Sequence, residues 1–312
     1  MAASVALVIP TYNNLPQLRV TLRALAQQTF QDFVAYVCVD GSTDATLAYL
    51  ERYAPPFVRV LTHPDGQNRG RNAARNLALP YLSAHAWVAF LDSDSVPLPG
   101  WLEAFLAAEP TPQEVLLGAV LYYADTNPHP WVAYLRWRER LRSQGSPTFK
   151  NFLSGNAFLP AQAFLASQGM DPQIRRHGLG DTELGWRLQE AGYRFRYVPA
   201  ARVWSDASLS LGAVLLRAYE MGRYNLRYLA QKHPAMVPHL FGGKWLHQSW
   251  RRVLLRGLFA LTGTSRLLKG LPALPPPLQK WGVRYLLFQA VARGYWGLRP
   301  PVRLPDMEGP SM

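Results

Sequence analysis

The sequence of 312 residues carries 33 Lys and Arg against 20 Asp and Glu, which gives a formal net charge of +13. Hydrophobic residues make up 49% of the chain and charged residues 17%, a balance that excludes an intrinsically disordered polymer. The single cysteine, Cys38, excludes an intramolecular disulfide framework and any zinc site built from several cysteines.

The positive charge is unevenly distributed along the chain. Residues 1–206 hold 18 Lys and Arg and 17 Asp and Glu, whereas residues 207–312 hold 15 Lys and Arg and only 3 Asp and Glu. The sequence therefore consists of a nearly neutral body and a strongly basic final third, which need separate explanations. A domain size of about 150 residues also favours two domains, or one large domain with a long appendage.

The first 125 residues alternate short apolar runs with amphipathic stretches. The pattern predicts strands at 5–9, 33–39, 58–61 and 87–91, with helices at 15–28, after Ser42 or Thr43, and at 71–82. Such alternation is typical of a mainly parallel sheet with helices on both faces. In these sheets ligands bind beyond the carboxyl ends of the strands, so the residues after each strand are the first functional candidates.

The pattern is less regular after Asp125. It predicts a helix at 131–142, a strand at 152–159 and a helix at 181–191, followed by helical segments separated by Gly and Pro over 210–296. Residues 299–312 contain four prolines and predict a disordered tail. We therefore expect a catalytic domain at 1–206, a basic amphipathic helical region at 207–298 and a tail at 299–312.

Four polar motifs follow the predicted strands or open a predicted helix. They are Pro10-Thr11-Tyr12-Asn13, Asp40-Gly41-Ser42-Thr43-Asp44, the pattern N-x-G-x-x-x-A-R-N over 68–76, and Asp92-Ser93-Asp94. Each motif alone is weak, because a D-G-S loop is often only a turn with a helix cap, and D-x-D is more often a cap with a solvated charge. Their order and spacing together indicate one site at the edge of the sheet.

These motifs, together with Ser154-Gly155-Asn156 and the segment G-L-G-D-T-E-L-G-W-R-L at 178–188, resemble the family-two glycosyltransferases of the GT-A fold. The resemblance covers roughly residues 4–206. It implies an α/β fold of the GT-A type, with a Rossmann-like, mainly parallel sheet flanked by helices, to which a C-terminal helical extension is added. It also implies transfer of a sugar from a nucleotide-sugar donor.

The resemblance assigns roles to individual residues. Asp40 is expected to accept a hydrogen bond from the nucleobase, Asp94 to bind Mg²⁺ or Mn²⁺, and Asp181 to be the catalytic base. The expected contacts with the nucleotide-sugar are Pro10, Thr11, Tyr12, Asp40, Asn68, Arg75, Asp92, Ser93 and Asn156. The chemistry agrees, because hard cations prefer oxygen ligands and a carboxylate can take the proton of an attacking hydroxyl. A helix N-cap is the structural alternative for Asp181.

The sequence departs from the family pattern in three places. Gly180 stands before Asp181, where many members have a second acidic residue. The run V-W-S-D at 203–206 has no histidine, so the third metal or diphosphate contact stays open, with Asp206 as one candidate. The string Q-S-W-R-R at 248–252 only partly matches the Q-x-x-R-W of processive members, and we interpret it as coincidence.

The basic final third has no acidic residue between Glu220 and Asp306, an interval that contains 14 Lys and Arg. A predicted helix at 245–261 places its apolar residues on one face, and Trp281 lies near Lys280 and Arg284. Basic residues opposite Trp, Phe and Leu favour helices that lie in an anionic membrane interface. Packing on the catalytic body or oligomerisation is the alternative, and nucleic acid ranks last because no binding motif is present.

The motifs and the resemblance together predict a metal-dependent glycosyltransferase that takes a UDP-, dTDP- or GDP-linked sugar. The resemblance alone implies that transfer inverts the anomeric configuration. The expected acceptor is a saccharide or a lipid-linked saccharide, as in the synthesis of a cell-envelope polysaccharide. A non-catalytic sugar-nucleotide or polyanion binder is the alternative. The N-terminus lacks a basic n-region, and no run reaches about 18 apolar residues, so we expect a cytoplasmic protein that is peripheral on the inner face of the membrane.

Overall fold

Eight β-strands form a single mixed sheet whose spatial order is β3-β2-β1-β4-β7-β6-β8-β5. Strands β1 to β4 pair in parallel, as do β6 and β8, whereas β7 runs antiparallel to β4 and β6, and β5 runs antiparallel to β8. The strands are β1 (Val5–Thr11), β2 (Phe33–Val39), β3 (Val58–Thr62), β4 (Trp87–Leu91), β5 (Ser95–Pro97), β6 (Glu114–Tyr123), β7 (Asn156–Pro160) and β8 (Arg194–Asp206). This mostly parallel sheet confirms the predicted α/β fold.

Twelve α-helices belong to the part of the chain that the structure describes. They are α1 (Leu15–Ala26), α2 (Thr46–Tyr53), α3 (Arg71–Asn76), α4 (Trp101–Ala107), α5 (Pro130–Gln144), α6 (Ala161–Ala166), α7 (Gly180–Glu190), α8 (Leu211–Glu220), α9 (Arg227–Lys232), α10 (Gly243–Leu246), α11 (Thr264–Gly270) and α12 (Pro276–Tyr295). Short 3₁₀ segments occur at Leu79–Ala84, Phe149–Asn151, Val237–His239 and Leu271–Ala273, and a π-helical turn at Met221–Leu226 joins α8 to α9.

The computed structural model describes residues 5–124, 130–240, 243–246, 259 and 264–302. The chain forms two compact units. The first consists of residues 1–124, 135–175 and 179–207, and the second of residues 125–134, 176–178 and 208–312. The predicted helix at 245–261 lies outside the described residues except for 245, 246 and 259, and so does most of the predicted tail.

The central strand β1 is buried on both faces of the sheet. Val5, Leu7 and Ile9 belong to one hydrophobic cluster, while Ala6 and Val8 belong to the cluster on the other face. All five are fully buried. This burial explains the continuous apolar run in the sequence, because a strand covered by helices on both sides has no polar face.

Strand β1 continues through Pro10 to Thr11, beyond the residue at which the sequence predicted its end. Proline has no N–H to donate to a neighbouring strand and is usually excluded from central strands. Here β4 pairs only with Val5–Val8, so Pro10 lies past the last paired residue on that side. Its missing N–H therefore interrupts no pairing with β4.

The helix predicted at 71–82 consists of two pieces. Helix α3 ends at Asn76, and a 3₁₀ segment begins at Leu79 with Pro80 in its first turn. A proline inside a continuous helix would remove a hydrogen bond and clash with the preceding turn, which explains the interruption. The short α3 results, and its first turn directly follows Gly70.

The second unit packs helices at very short range. A Cβ atom at Gly222 of the π-helical turn would collide with the backbone oxygen of Val291 on α12, and one at Gly294 would collide with that of Tyr219 on α8. Glycine is thus required where α12 crosses α8. No helix among the residues described is both long and apolar enough to span a bilayer.

Candidate functional site

The topology brings the polar motifs to one edge of the sheet. Because β1, β2, β4, β6 and β8 run in the same direction, their carboxyl ends share this edge. The antiparallel strands β5 and β7 begin at the same edge, so the residues that precede these two strands also lie there. Asp94 precedes β5, and Ser154 and Gly155 precede β7. The sequence motifs predicted that Asp94 and the Ser154-Gly155-Asn156 segment belong to the site, but not that the strands that follow them run in the reverse direction.

Asp92 follows β4 and forms an ion pair with Arg75 of α3. Nη2 of Arg75 lies 2.5 Å from Oδ1 of Asp92, and the Arg75 side chain is 3% exposed whereas that of Asp92 is 43% exposed. A Cβ at Gly155 would come within 2.7 Å of Oδ2 of Asp92, so glycine leaves room for this carboxylate. The ion pair with the buried Arg75 therefore holds the Asp92 carboxylate in place, while part of it remains accessible to solvent.

Asp94 and Asp206 lie next to each other. In the antiparallel pairing of β5 with β8, Ser95 is opposite Ser205, so the residues one position further on, Asp94 and Asp206, adjoin at the end of the pairing. Asp94 is exposed as a whole residue, but its carboxyl group is partly desolvated by neighbouring protein atoms. This desolvation and the negative charges of Asp92 and Asp206 raise the pKa of Asp94 to about 6, against a smaller opposing effect of Arg71.

Asp181 lies in the first turn of α7 and accepts a hydrogen bond from Ser154, with 2.5 Å between Oγ and Oδ1. Burial raises the pKa of Asp181, while the charge of Arg75 and the Ser154 hydrogen bond oppose the rise. The residue before the helix, Leu179, has a φ of 68°, a conformation unfavourable for a branched side chain. No side-chain cap is formed at this helix start, and Asp181 is not the N-cap residue.

Asp40, after β2, organises the loop that leads into α3. Its Oδ1 accepts the backbone N–H of Arg69 at 2.8 Å and its Oδ2 that of Gly70 at 2.9 Å. His63 Nε2 lies 3.1 Å from Oδ1, and the Asp40 carboxylate is almost completely buried. These three contacts use most of the hydrogen-bond acceptor sites of the carboxylate, so Asp40 orders the loop. Its contact with the nucleobase stays a prediction.

The remaining residues expected to contact the donor lie around this loop. Thr11 is 3% exposed and accepts the Asp40 N–H through its backbone oxygen at 2.9 Å. Its hydroxyl has no hydrogen-bond partner among the described residues. Pro10 is buried in β1, Tyr12 is half-buried, and Asn68 is exposed above Gly41. Ser93 is buried and accepts a hydrogen bond from Asn14 through its hydroxyl at 3.1 Å.

Asn156 corrects one prediction. Its side chain is fully buried and donates to the backbone oxygens of Ala119, at 2.9 Å, and Ala201, at 3.0 Å. Its Oδ1 accepts the indole N–H of Trp101 at 2.8 Å. No surface remains for a nucleotide-sugar, so the predicted donor contact is wrong for this geometry. Asn156 instead links β6, β8 and α4 from its place at the start of β7.

Oxygen ligands near Asp94 suit a hard divalent cation. In the described part of the chain, no cluster of three or more His, Cys, Asp and Glu side chains has the spacing of a metal site. Mg²⁺ and related cations, however, are commonly held by one or two carboxylates together with substrate phosphates and water. Two adjoining carboxylates, Asp94 and Asp206, meet this requirement, and their mutual repulsion would be relieved by a cation.

Two residues in the site had no assigned role in the sequence. Ser154 was part of a recognised motif but was not linked to Asp181, because nothing in the spacing predicted their hydrogen bond. Arg71 occupies a variable position of the N-x-G-x-x-x-A-R-N motif, and its charge acts on both Asp94 and Asp181. In the sequence, the only feature that could have pointed to Arg71 is that a basic residue directly follows Gly70 of the motif.

Comparisons with known proteins agree with the geometry. The chain matches the family model for glycosyl transferase family 2 over residues 6–166 and that for glycosyl transferase family group 2 over residues 87–288. It is 30% identical to validoxylamine A glucosyltransferase of Streptomyces hygroscopicus subsp. jinggangensis, over 84% of this chain and 66% of that protein. It is 32% identical to pre-mycofactocin glycosyltransferase of Mycobacterium tuberculosis, over 74% and 48%. The chain thus spans about half to two thirds of the length of these relatives.

Solved structures share the fold. The mannosyltransferase PcManGT from Pyrobaculum calidifontis, in complex with GDP-Man and Mn²⁺, matches with a TM-score of 0.65 and 20% identity, over 94% of this chain and 87% of that one. TarS 1-349 of S. aureus matches with a TM-score of 0.52 and 18% identity, over 94% and 92%. The sheet is that of the GT-A fold, and the sequence motifs and family match agree with it. The chain belongs to glycosyl transferase family 2.

Proposed function

We propose that the protein is a metal-dependent, inverting glycosyltransferase that moves a sugar from a nucleoside-diphosphate sugar to an acceptor hydroxyl. The observation that carries the proposal is the convergence of three elements at one sheet edge. These are a half-buried carboxylate at the start of α7, a pair of adjoining carboxylates beside β5 and β8, and the basic residues of α3. Family membership supports the class of reaction.

Asp181 would act as the general base. As the acceptor oxygen attacks the anomeric carbon, the bond from that carbon to the diphosphate oxygen breaks and the acceptor proton passes to the Asp181 carboxylate. A raised pKa makes this carboxylate a stronger base than an exposed aspartate, which suits it to proton abstraction near neutral pH. A single displacement of this kind inverts the anomeric configuration.

Asp94, with Asp206 beside it, would hold the divalent cation. When bound, Mg²⁺ or Mn²⁺ supplies positive charge to the diphosphate of the donor. The carboxylates of Asp94 and Asp206 would provide the oxygen ligands, whereas Asp92 is paired with Arg75. The Mn²⁺ in the structure of the similar mannosyltransferase supports the choice of metal.

The nucleotide would lie across the ends of β1 and β2. Residues on its path are Pro10, Thr11, Tyr12, Asp40, Asn68, Arg75, Asp92 and Ser93, which remain the proposed donor contacts. The unpartnered, buried hydroxyl of Thr11 supports a polar ligand group at this point. UDP-, dTDP- and GDP-linked sugars are the donors to test.

The proposed acceptor is a saccharide or a lipid-linked saccharide of the cell envelope. One relative is named N-acetylglucosaminyl-diphospho-decaprenol L-rhamnosyltransferase, from Mycobacterium tuberculosis, and is 28% identical over 80% of this chain and 87% of that protein. Its name describes a lipid-linked acceptor, which supports this choice without fixing the sugar.

Release of nucleoside diphosphate tests the proposal. The protein is incubated with UDP-, dTDP- and GDP-sugars, with Mn²⁺ or Mg²⁺ or with EDTA, and the free nucleoside diphosphate is measured with and without saccharide acceptors. We expect release with one donor class, abolished by EDTA, and NMR of the product should show an inverted anomeric centre. Binding of a donor without any release would instead support the alternative, a non-catalytic sugar-nucleotide or polyanion binder.

Single variants separate the two carboxylate roles. Asp181→Asn should lower turnover by about 10²- to 10⁴-fold and leave donor affinity nearly unchanged, because it removes only the base. Asp94→Asn should weaken metal-dependent donor binding. Asp65→Asn is the matched control, since Asp65 lies on an exposed loop, paired with Arg69. Unchanged turnover in Asp181→Asn would remove this residue from the role of base.

We also propose that the second unit binds an anionic membrane surface on the cytoplasmic side. Leu278 and Trp281 at the start of α12 are 53% and 58% exposed, and the Arg284 guanidinium lies 5.1 Å from the Trp281 ring centre. An apolar pair bordered by Lys280 and Arg284, in a region without acidic residues, suits an interfacial helix. Self-association through the same surface is the alternative.

Flotation with liposomes that contain anionic lipid tests this surface. At low salt we expect the wild-type protein to float and Trp281→Ala to float less. Tyr53→Ala is the matched control, because Tyr53 is equally exposed, at 58%, but belongs to the first unit. Protein that stays in the soluble fraction at low salt would contradict membrane binding, and sedimentation analysis would then test self-association.

A further inference from the structure

Arg71 is the first residue of α3 and lies one helical turn before Arg75. Residues four apart lie on the same side of a helix, so the two arginines share the side that faces the carboxylates. Arg75 is buried and paired with Asp92 at 2.5 Å, and its Nη1 also donates to the Arg71 backbone oxygen at 3.4 Å. Arg71, by contrast, is exposed.

The backbone on either side of Arg71 is held in place. The Gly70 N–H donates to Asp40 at 2.9 Å, and the buried Asn72 side chain donates to the backbone oxygen of Asp171 at 2.9 Å. The Ala74 N–H closes the first turn on the Gly70 oxygen at 3.0 Å. The Cα of Arg71 therefore has a defined position at the sheet edge, while its side chain extends into solvent.

The Arg71 guanidinium lies within electrostatic range of the two carboxylates that have proposed chemical roles. Its charge lowers the pKa of Asp94 and of Asp181, in each case against a larger effect of burial. Within the described ranges, its side chain makes no ion pair or hydrogen bond. Arg69, two residues earlier, differs in this respect, because its Nη2 lies 2.7 Å from Asp65.

An exposed guanidinium on the same side of α3 as the ion pair between Arg75 and Asp92, with no partner among the described residues, suits a phosphate group. The planar guanidinium donates paired hydrogen bonds to phosphate oxygens, and bonds between charged groups are the stronger kind. A diphosphate near Asp94 would bring two phosphate groups into this acidic edge, where one cation leaves part of their charge uncompensated.

We propose that Arg71 binds the diphosphate of the donor and stabilises the nucleoside diphosphate as it leaves. When the bond between the anomeric carbon and the phosphate oxygen breaks, its electron pair stays on that oxygen, which accepts hydrogen bonds from the Arg71 guanidinium. The acceptor proton goes to Asp181, so charge is conserved. This inference rests on the proposed function and assigns a further residue to its donor site.

Calorimetric titration with UDP, dTDP and GDP in the presence of Mn²⁺, and with the corresponding nucleoside monophosphates, tests the assignment on the full chain. For the nucleotide that the wild type binds, Arg71→Gln should weaken diphosphate binding by about ten- to hundredfold, the range of charge-assisted hydrogen bonds. Monophosphate binding should change much less. Arg71→Lys, which keeps the charge, should recover part of the loss.

Arg69→Gln is the matched control, since the side chain of Arg69 is exposed and bound to Asp65. It should stay within about twofold of the wild type in all titrations, as expected for an exposed ion pair. Equal diphosphate affinity in Arg71→Gln and wild type would overturn the inference while the proposed function stands. Equal weakening of diphosphate and monophosphate would also overturn it. A wild-type protein that binds none of the three diphosphates would overturn the proposed function together with this inference.

Discussion

Replacement of Asn156 by alanine tests whether this side chain stabilises the fold or binds the donor. The change leaves three buried polar groups without their partner: the backbone oxygens of Ala119 and Ala201 and the indole N–H of Trp101. Each buried group that loses its partner costs about 1–3 kcal/mol. Because the carbonyl oxygens keep a second lone pair, the lower half of that range applies, about 1–2 kcal/mol for each group, and the free energy of unfolding should fall by about 3–6 kcal/mol.

The assay is urea and thermal unfolding, with donor binding measured on the folded protein. A loss of this size should lower Tm by about 10 °C or more for a domain of this size. Asn68→Ala is the matched control: Asn68 is exposed, so its unfolding free energy should stay within about 0.5 kcal/mol of the wild type, whereas its donor affinity should fall. An Asn156→Ala variant of wild-type stability with reduced donor affinity would refute the structural role and restore the predicted donor contact.

Three further predictions concern the same unit. Ser154→Ala removes a hydrogen bond that lowers the pKa of Asp181, so the acid limb of the pH profile of kcat/KM should move to higher pH; a limb that coincides with that of the exposed control Ser143→Ala would contradict this. Gly41→Ala and Gly66→Ala both place alanine at positive φ, 67° and 65°, which costs about 1–2 kcal/mol, but only Gly41 would also collide with neighbouring backbone. Urea unfolding should therefore show the larger loss for Gly41→Ala, and equal losses would argue against tight packing there. Burial raises the pKa of Cys38 to about 12, so iodoacetamide at pH 8 should label it only after denaturation, and rapid labelling of the native protein would contradict its burial.

The parallel half of the sheet could be predicted because its strands are buried runs separated by amphipathic helices. Strand direction in the other half could not, since short apolar runs such as that of β7 have the same composition in either direction. Pro10 likewise predicted a strand end that the structure does not have. A strand tolerates proline where the neighbouring strand no longer pairs with it, and β4 stops pairing at Val8. That information exists only in the register of the neighbouring strand.

The candidate site was predictable as a group of motifs but not residue by residue. A polar residue held by buried backbone groups, such as Asn156, looks in a sequence the same as one held by a ligand. The hydrogen bond between Ser154 and Asp181 joins residues 27 positions apart, so no local pattern indicates it. Asp40 shows the same limit. The sequence predicted that its carboxylate accepts a hydrogen bond from the nucleobase, but in the structure the carboxylate accepts the backbone N–H groups of Arg69 and Gly70.

The segment that carries Asp92 and Asp94 is only three residues long and lies between the end of β4 at Leu91 and the start of β5 at Ser95. The backbone N–H of Ser95 donates to the Asp92 oxygen at 3.1 Å, which closes the segment on itself. A connection whose two ends are both paired in the sheet loses little further conformational entropy when a ligand binds. The backbone that carries these carboxylates is therefore already ordered when the sheet folds, so a ligand that binds them loses little affinity to the ordering of this segment.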